Sequence, residues 1–522
     1  MKYRHVLFIF ILIFGIVLRI YTFSEISSID HFTWIGGDPA HYYEVASNIY
    51  QGNGPVIDFI FQFWKQVDFG QNDALFEPLF PYILAYFFYI FGQSLFTAKL
   101  VVFLFSIASI VLIYFIGKNI YNENAGLIAS FLLAIQPKHI EYSVSILKDN
   151  VYIFLFLLAF FLMLLSFKEN GLWHWILFGI FIALSFLARY FSIILILTFI
   201  VLLIIYRKKV NWKYVGISLL AFLLVLLPWA IYTYNEFGSP FFSITRYYPY
   251  SASSWEGMSY EESAPTLERY LEENSIKDII ITRLKLIPLT LYHLPIWMTP
   301  LVFLLFITVF LLKDSYVMAL KLYFLILILF YMVQFAAPGQ FIERAYFALI
   351  YTSLVPIAFI ISKTPDFIEG LKIKINKKVI ASLIIGIILI SCLALLQWKL
   401  NGIKSYNMQE RQEDLERLGV WIKSNTKESD VIMTLFPADV HFYAERRTVM
   451  DPYNFALGLR ISNIEDYKNR NKEEALRYNV TYVLIHTKNI EQAKEGYIPF
   501  SLNLKYSDEE AELYLYKIRR FV

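Results

Sequence analysis

The residues of this chain best placed for chemistry are carboxylates set among glycines, prolines and aromatic side chains. Asp38, in GGDPAHYY, stands beside Gly36 and Gly37, where backbone can approach a ligand closely, and ahead of Pro39, which favours the first turn of a helix. The same placement suits an N-cap for PAHYYEVASNIY, so the carboxylate either meets a ligand or simply starts a helix. A second acidic group lies in QPKHIEYSVSILKDN, with Glu141, Lys148 and Asp149, and Glu77 in FEPLFP is a third. Taken singly, each reads as helix-end solvation or an ordinary loop residue; acidic sites recurring on one face change that. ERAYFALIYTSLVP adds Glu343 and Arg344, whose planar guanidinium fits a pair of phosphate oxygens as well as it snorkels to lipid headgroups. Tyr42 joins the set as a substrate-binding candidate. His293, Arg189 and Arg246 show no recognisable spacing, which favours interfacial or structural roles, although His293 is kept as a substrate-binding candidate.

The elements that must position these residues are set by a composition whose solvent is lipid. Of 522 residues, 58% are hydrophobic, 18% aromatic and only 17% charged, which marks an integral membrane protein. A net charge of +3, with basic residues clustered in loops rather than on a continuous basic face, is too small to imply a nucleic-acid partner, and none is expected. The single cysteine, Cys392, rules out an intramolecular disulfide or a cysteine metal cluster. Apolar runs of roughly 17 to 25 residues read as spanning helices. Eleven emerge, at about 5–23, 95–116, 125–140, 150–167, 172–188, 191–206, 214–234, 290–312, 318–336, 344–362 and 379–397, the first with a basic start, no cleavage site and hence a retained helix. LFPYILAYFFYIF at 79–91 is too short and reads as interfacial. With the N-terminus cytoplasmic, this α-helical polytopic arrangement keeps most loop Lys and Arg inside and leaves on the outer face the loop 24–94, the turn 138–149, the loop 235–289 and everything after 398. Residues 1–398 then form a transmembrane domain. Residues 399–522, where DVIMTLF, VTYVLIH and ELYLYKI alternate with charged helical segments, form an extracytoplasmic α/β domain.

In this order and sidedness the motifs GGDPAHYYEVASNIYQG, EPLFPYILAYFFYIFGQSLFTAKLV, SILKD, YNEFGSPFF and ERAYFALIYTSLVP resemble the GT-C superfamily of integral-membrane glycosyltransferases. The likeness is strongest to the branch of the dolichyl-phosphate-mannose protein mannosyltransferases and the lipid A aminoarabinose transferases. It implies transfer of a sugar from a polyprenyl-phosphate donor to a glycan, lipid or protein acceptor at the outer face of the cell membrane. It also implies Asp38 as general base, Asp149 as the second acidic position, and Arg344 with Lys148 at the donor phosphate. Glu77, Glu141, Tyr42, His293 and Glu343 are then expected around the substrates. The mannosyltransferases pair two acids where this chain has Asp38 and Pro39, which counts against a protein acceptor; the lack of WWDYG counts against oligosaccharide transfer to asparagine.

The physics agrees with that scheme. Nucleotide sugars stay in the cytoplasm, so chemistry on the outer face needs a membrane-borne donor, and no P-loop or GxGxxG occurs in the sequence. A divalent cation between carboxylates could assist or replace Arg344, though no ligand spacing marks one. Aromatic outer segments such as FIFQFW, RYYPY and YHLPIW suit stacking on sugars as well as an interfacial belt. The rivals from other classes are a secondary transporter, which would place polar sites near the bilayer midplane between repeats, and a membrane scaffold or receptor, which would not need Asp38 and Asp149 together.

Overall fold

The computed structural model describes residues 2–33, 37–60, 68–73, 75–250, 266–334, 343–370, 377–405, 408–454, 464–487, 489–497 and 500–519. Gly36, residues 61–64 of FIFQFW, and the loop lysines Lys372 and Lys374 lie outside them. Residues 2–237 contain ten α-helices: α1 (Lys2–Ile26), α2 (Asp38–Gln51), α3 (Leu79–Phe91), α4 (Leu95–Ile120), α5 (Glu123–Ala134), α6 (Pro137–Glu141), α7 (Asp149–Glu169), α8 (Leu172–Ala188), α9 (Ile193–Ile205) and α10 (Trp212–Phe237). Long helices follow at Leu286–Met298, Pro300–Val309, Ser315–Gln334, Phe347–Gly370 and Lys377–Ser405. Among the described residues, eight helices are long and apolar enough to cross a membrane, and five shorter apolar helices accompany them. α3 has 13 residues and so extends roughly 20 Å, short of the ~30 Å hydrocarbon core.

Two runs that the sequence presents as continuous are broken. Helix α5 stops at Ala134, and after it the Gln136 side chain accepts hydrogen bonds from the amides of Lys138 and His139 to start α6 at Pro137. The expected span 290–312 is divided at Thr299, which takes φ 70° ahead of Pro300. In both cases a proline keeps the residue before it out of the helical region. Elsewhere small residues draw the helices together. A Cβ on Gly117 of α4 would come 2.8 Å from the Gly126 Cα of α5, so the backbones touch. Below α6, the buried Arg19 of α1 donates to Ser106 Oγ (2.7 Å), the Ala134 carbonyl (3.1 Å) and His139 Nδ1 (2.7 Å), tying α1, α4, α5 and α6 into one unit.

The C-terminal region is a six-stranded sheet. Its strands are β4 (Val431–Thr434), β5 (Arg447–Met450), β6 (Tyr482–His486), β7 (Ser501–Asp508) and β8 (Leu513–Arg519), plus an edge strand β2 (Phe59–Ile60) supplied by the loop after α1. That loop also holds a small ladder of β1 (Val56–Ile57) with β3 (Gln71–Asn72). In the order β2-β5-β4-β6-β8-β7, the first four strands are parallel and β8 and β7 antiparallel. Side chains alternate between two apolar layers, Val431 and Met433 facing one and Ile432 the other. Helix Lys377–Ser405 continues through position 398 toward this sheet. The β2–β5 pairing, Phe59 with Thr448 and Ile60 with Val449, fixes the first loop and the C-terminal region on the same side of the helical bundle.

Candidate active site

Five separate connections converge at that end of the bundle. Helix α2 opens with Gly37 at φ 120°, a conformation that favours glycine, in the N-cap position and with no side-chain cap. Asp38 is therefore the first helical residue, and the capping role open to it in the sequence is not taken. Its Oδ2 instead accepts from Arg344 Nη1 at 2.6 Å, across 306 residues. Arg344 lies in a short 3-10 turn, Glu343–Tyr346, that leads into helix Phe347–Gly370. The same Nη1 lies 3.9 Å from Asp149 Oδ2 at the start of α7. Asp149 Oδ1 lies 3.2 Å from Arg189 Nη1, and Arg189, just past the end of α8, also donates to the Arg344 carbonyl at 3.2 Å. Lys148 pairs with Glu77, which also accepts the Tyr190 amide at 3.0 Å. The Lys148 ammonium lies 5.8 Å over the Tyr42 ring and 5.3 Å over that of Phe76.

The cluster thus sets three carboxylates (Asp38, Asp149, Glu77) against three cations (Arg344, Arg189, Lys148). Exposure divides the two aspartates. The Asp38 and Arg344 side chains are 30% and 26% exposed, whereas Asp149 is sealed at 1%. Burial pushes the Asp38 carboxyl up, but the charge and hydrogen bond of Arg344, aided by Lys148 and His41, outweigh it and hold the group below its usual range. Burial lowers the Lys148 ammonium despite Glu77, and burial raises the Tyr42 hydroxyl, with the charges of Asp38 and Glu77 adding to the effect. Neither oxygen of Asp149 has an aligned hydrogen bond, and the buried Tyr42 hydroxyl and Asn150 Nδ2 lack partners as well. Buried polar groups are rarely left so, and several together mark a place where a ligand could complete them. Among the described residues no group of three or more His, Cys, Asp or Glu could hold a metal ion, and the space between Asp38 and Asp149 holds the Arg344 guanidinium.

Of the residues singled out from sequence, Asp38, Asp149, Arg344, Lys148, Glu77 and Tyr42 meet here. Glu141 and Glu343 enter an adjoining cluster: Lys138 lies 2.7 Å from Glu343 and 3.2 Å from Glu141, Lys399 lies 3.6 Å from Glu141, and the Tyr142 hydroxyl donates to Glu343 at 3.2 Å. His293 donates from Nδ1 to the Leu289 carbonyl (2.8 Å) and stacks on Trp297; none of its described contacts is with the two clusters. Arg246 bonds Ser239. Arg189, given only an interfacial or structural role by sequence, proves to be a buried partner of Asp149. Its one available signal was a charge directly after a long apolar run.

Residues 77–232 match the family model of the dolichyl-phosphate-mannose-protein mannosyltransferases, a stretch that contains Glu77, Lys148, Asp149 and Arg189. No curated protein matches the chain in sequence. In structure the chain is similar to ArnT from Cupriavidus metallidurans bound to undecaprenyl phosphate, with TM-score 0.62, 10% identity and coverage of 97% of this chain and 98% of that one. It is also similar to the archaeal oligosaccharyltransferase AglB from Archaeoglobus fulgidus in complex with an inhibitory peptide and a dolichol-phosphate, with TM-score 0.60, 14% identity and coverage of 98% and 74%. Its long apolar helices and these neighbours make it a multi-pass membrane protein, and its fold is that of the ArnT and AglB structures.

Proposed function

We propose that this protein moves a sugar from a polyprenyl-phosphate carrier to an acceptor hydroxyl at the outer face of the membrane, with inversion at the anomeric carbon. The observation that carries this reading is a single guanidinium, Arg344, shared between an accessible carboxylate, Asp38, and a sealed one, Asp149. The solved neighbours bound to undecaprenyl phosphate and dolichol-phosphate support a lipid-phosphate substrate.

As arranged, Arg344 neutralises Asp38. A donor phosphate is a strong competing partner for the guanidinium, and engaging it draws Arg344 away, leaving Asp38 ionised and more basic. The acceptor hydroxyl oxygen then bonds to the anomeric carbon as the bond from that carbon to the phosphate oxygen breaks. The electron pair leaves with the phosphate and the hydroxyl proton passes to Asp38. A positioned base contributes about 10²–10⁴-fold. The charge count fits the reaction: when Asp38 takes up the proton, the three cations exceed the remaining two carboxylates by one. The carrier passing from phosphodiester to phosphomonoester gains one negative charge, which that excess offsets.

Asp149 holds Arg189 and Arg344 in place rather than meeting the acceptor, because it is sealed by both. Any divalent cation would act beside these arginines and not between the aspartates. The outer-face assignment, with a cytoplasmic N-terminus and an extracytoplasmic C-terminal region, rests on the loop charges together with the shared β2–β5 pairing.

The test is transfer of radiolabelled sugar from a panel of polyprenyl-phosphate sugars into cell-envelope acceptors, using membranes with the intact chain and with Asp38→Asn at equal level. Transfer by the intact chain that is lost in the variant supports the assignment. Equal transfer removes Asp38 from the mechanism, and no transfer with any donor sinks the reaction class.

A further inference from the structure

The C-terminal region does more than lie beside the site, because it grips the helix that carries Asp38. Helix Pro437–Ala444 packs on α2, with Phe442 edge-on to Tyr43 at 5.4 Å and to Phe32 at 4.8 Å. Next to Phe442, His441 bridges the two bodies. Its Nδ1 lies 2.8 Å from the Arg446 carbonyl and its Nε2 lies 3.2 Å from Glu44 Oε1. A carbonyl and a carboxylate both accept, so the arrangement suits a ring that donates from both nitrogens, as an imidazolium does. Glu44 is fixed in turn by Asn48 Nδ2 at 2.9 Å. Both side chains of the bridge are largely buried, at 16% and 17% exposure, where a charged hydrogen bond is weakly screened. Burial lowers the imidazolium, but the Glu44 carboxylate outweighs it and raises the group above its usual range.

Glu44 and Asp38 lie six residues apart on one helix, about 9 Å along its axis. A force applied at Glu44 therefore sets where the first turn of α2 stands. We infer that His441 is a positioning residue for sugar transfer: through its bond to Glu44 it fixes α2, and so places the Asp38 carboxylate against Arg344. This rests on the function proposed above only in its catalytic consequence. The grip on α2 is a property of the fold and can be read without activity.

The experiment combines two readouts on the full-length protein in lipid nanodiscs. The first is hydrogen exchange of the α2 amides in the intact chain, His441→Ala, Glu44→Ala and the double variant. The second is a kcat and donor KM comparison of the same four proteins, with His441→Lys as a conservative replacement that keeps one charged donor toward Glu44. Displacements near 1 Å at a reacting group can cost about 10²-fold. We expect kcat to fall about ten- to a hundredfold in each single variant and no further in the double variant. Donor KM should hold, α2 should exchange faster in all three, and His441→Lys should recover part of the loss. Unchanged α2 exchange in His441→Ala overturns the inference whether or not transfer is seen. Additive losses in kcat, or losses confined to KM, also overturn it. Absence of transfer by the intact chain would instead count against the proposed function, while α2 exchange still decides the grip.

Discussion

Glu343 and Arg344 are neighbours in the chain, yet they enter two ionic clusters of different character. Around Glu343 the charges nearly close on themselves: it is met by Lys138 and the Tyr142 hydroxyl, Glu141 Oε1 accepts from Lys138, and Glu141 Oε2, without an aligned hydrogen bond, still has Lys399 close by. Around Arg344 they do not. One guanidinium serves two aspartates at unequal distances, neither oxygen of Asp149 has an aligned hydrogen bond, and the buried Tyr42 hydroxyl and Asn150 Nδ2 are left over. A closed cluster holds helices together, whereas an open one has donors and acceptors to spare for a substrate. Charge content alone would not separate them, because both are dense in acids and bases.

The largest effect that could break this comparison is on Asp38. Asp38→Asn removes the base while keeping the shape, and sugar transfer is expected to fall about 10²–10⁴-fold in a radiolabel assay. Retention of full transfer would mean that the open cluster is as structural as the closed one. Next in size is Arg344→Gln, for which loss of a charge on the departing phosphate should lower kcat about 10²–10³-fold. It should also move the pH profile in a definite sense. Asp38 works ionised, burial raises its pKa and Arg344 more than reverses this. Without the guanidinium the acid limb of the rate profile should shift upward. An acid limb that stays in place or moves down would detach Asp38 from the observed titration.

Much of the open cluster was legible in the sequence because lipid makes charge expensive and therefore conspicuous. Asp149, Lys148 and Arg344 each stand at the edge of an apolar run and Asp38 in the loop that follows the first, and the sidedness of these places follows from loop charge. The strands around 431–434, 482–486 and 513–519 were visible as short apolar runs bounded by polar ones. What was hidden depends on long-range pairing. Nothing local says that Phe59 and Ile60 form the edge of a sheet nearly 400 residues further on, or that Arg189 turns inward to Asp149 rather than outward to headgroups. The split at Thr299 was hidden for a different reason: hydropathy is continuous across a broken backbone, and only Pro300 hinted at it. Likewise the sequence allowed Asp38 to be a cap or a reagent, and a partner 306 residues away settles which group its carboxylate meets.

A smaller effect sharpens the division of labour inside the open cluster. Asp149→Asn keeps the Asp38 and Arg344 side chains themselves but removes the anion that aligns the two arginines. Transfer should fall by about 10–10² through misplacement, with the acid limb of the profile still present. Disappearance of that limb in Asp149→Asn and its survival in Asp38→Asn would exchange the roles of the two aspartates.

The smallest effect on chemistry is expected from the closed cluster. Glu343→Gln keeps an acceptor for Tyr142 but strips Lys138 of its nearest counter-charge, leaving Glu141 to share both lysines. The cost should fall on stability, about 1–3 kcal/mol from a partly buried ammonium left underpaired, and be visible as a lower thermal midpoint in detergent. Transfer per folded molecule should be unchanged, because Glu343 has no hydrogen bond to Asp38, Arg344 or Asp149 among the described contacts. If Glu343→Gln instead lowers kcat as Arg344→Gln does, without lowering the thermal midpoint, the two clusters act as one. The substrate must then reach across the 3-10 turn that carries Glu343 and Arg344, and Lys138 would become a second cation for the donor phosphate.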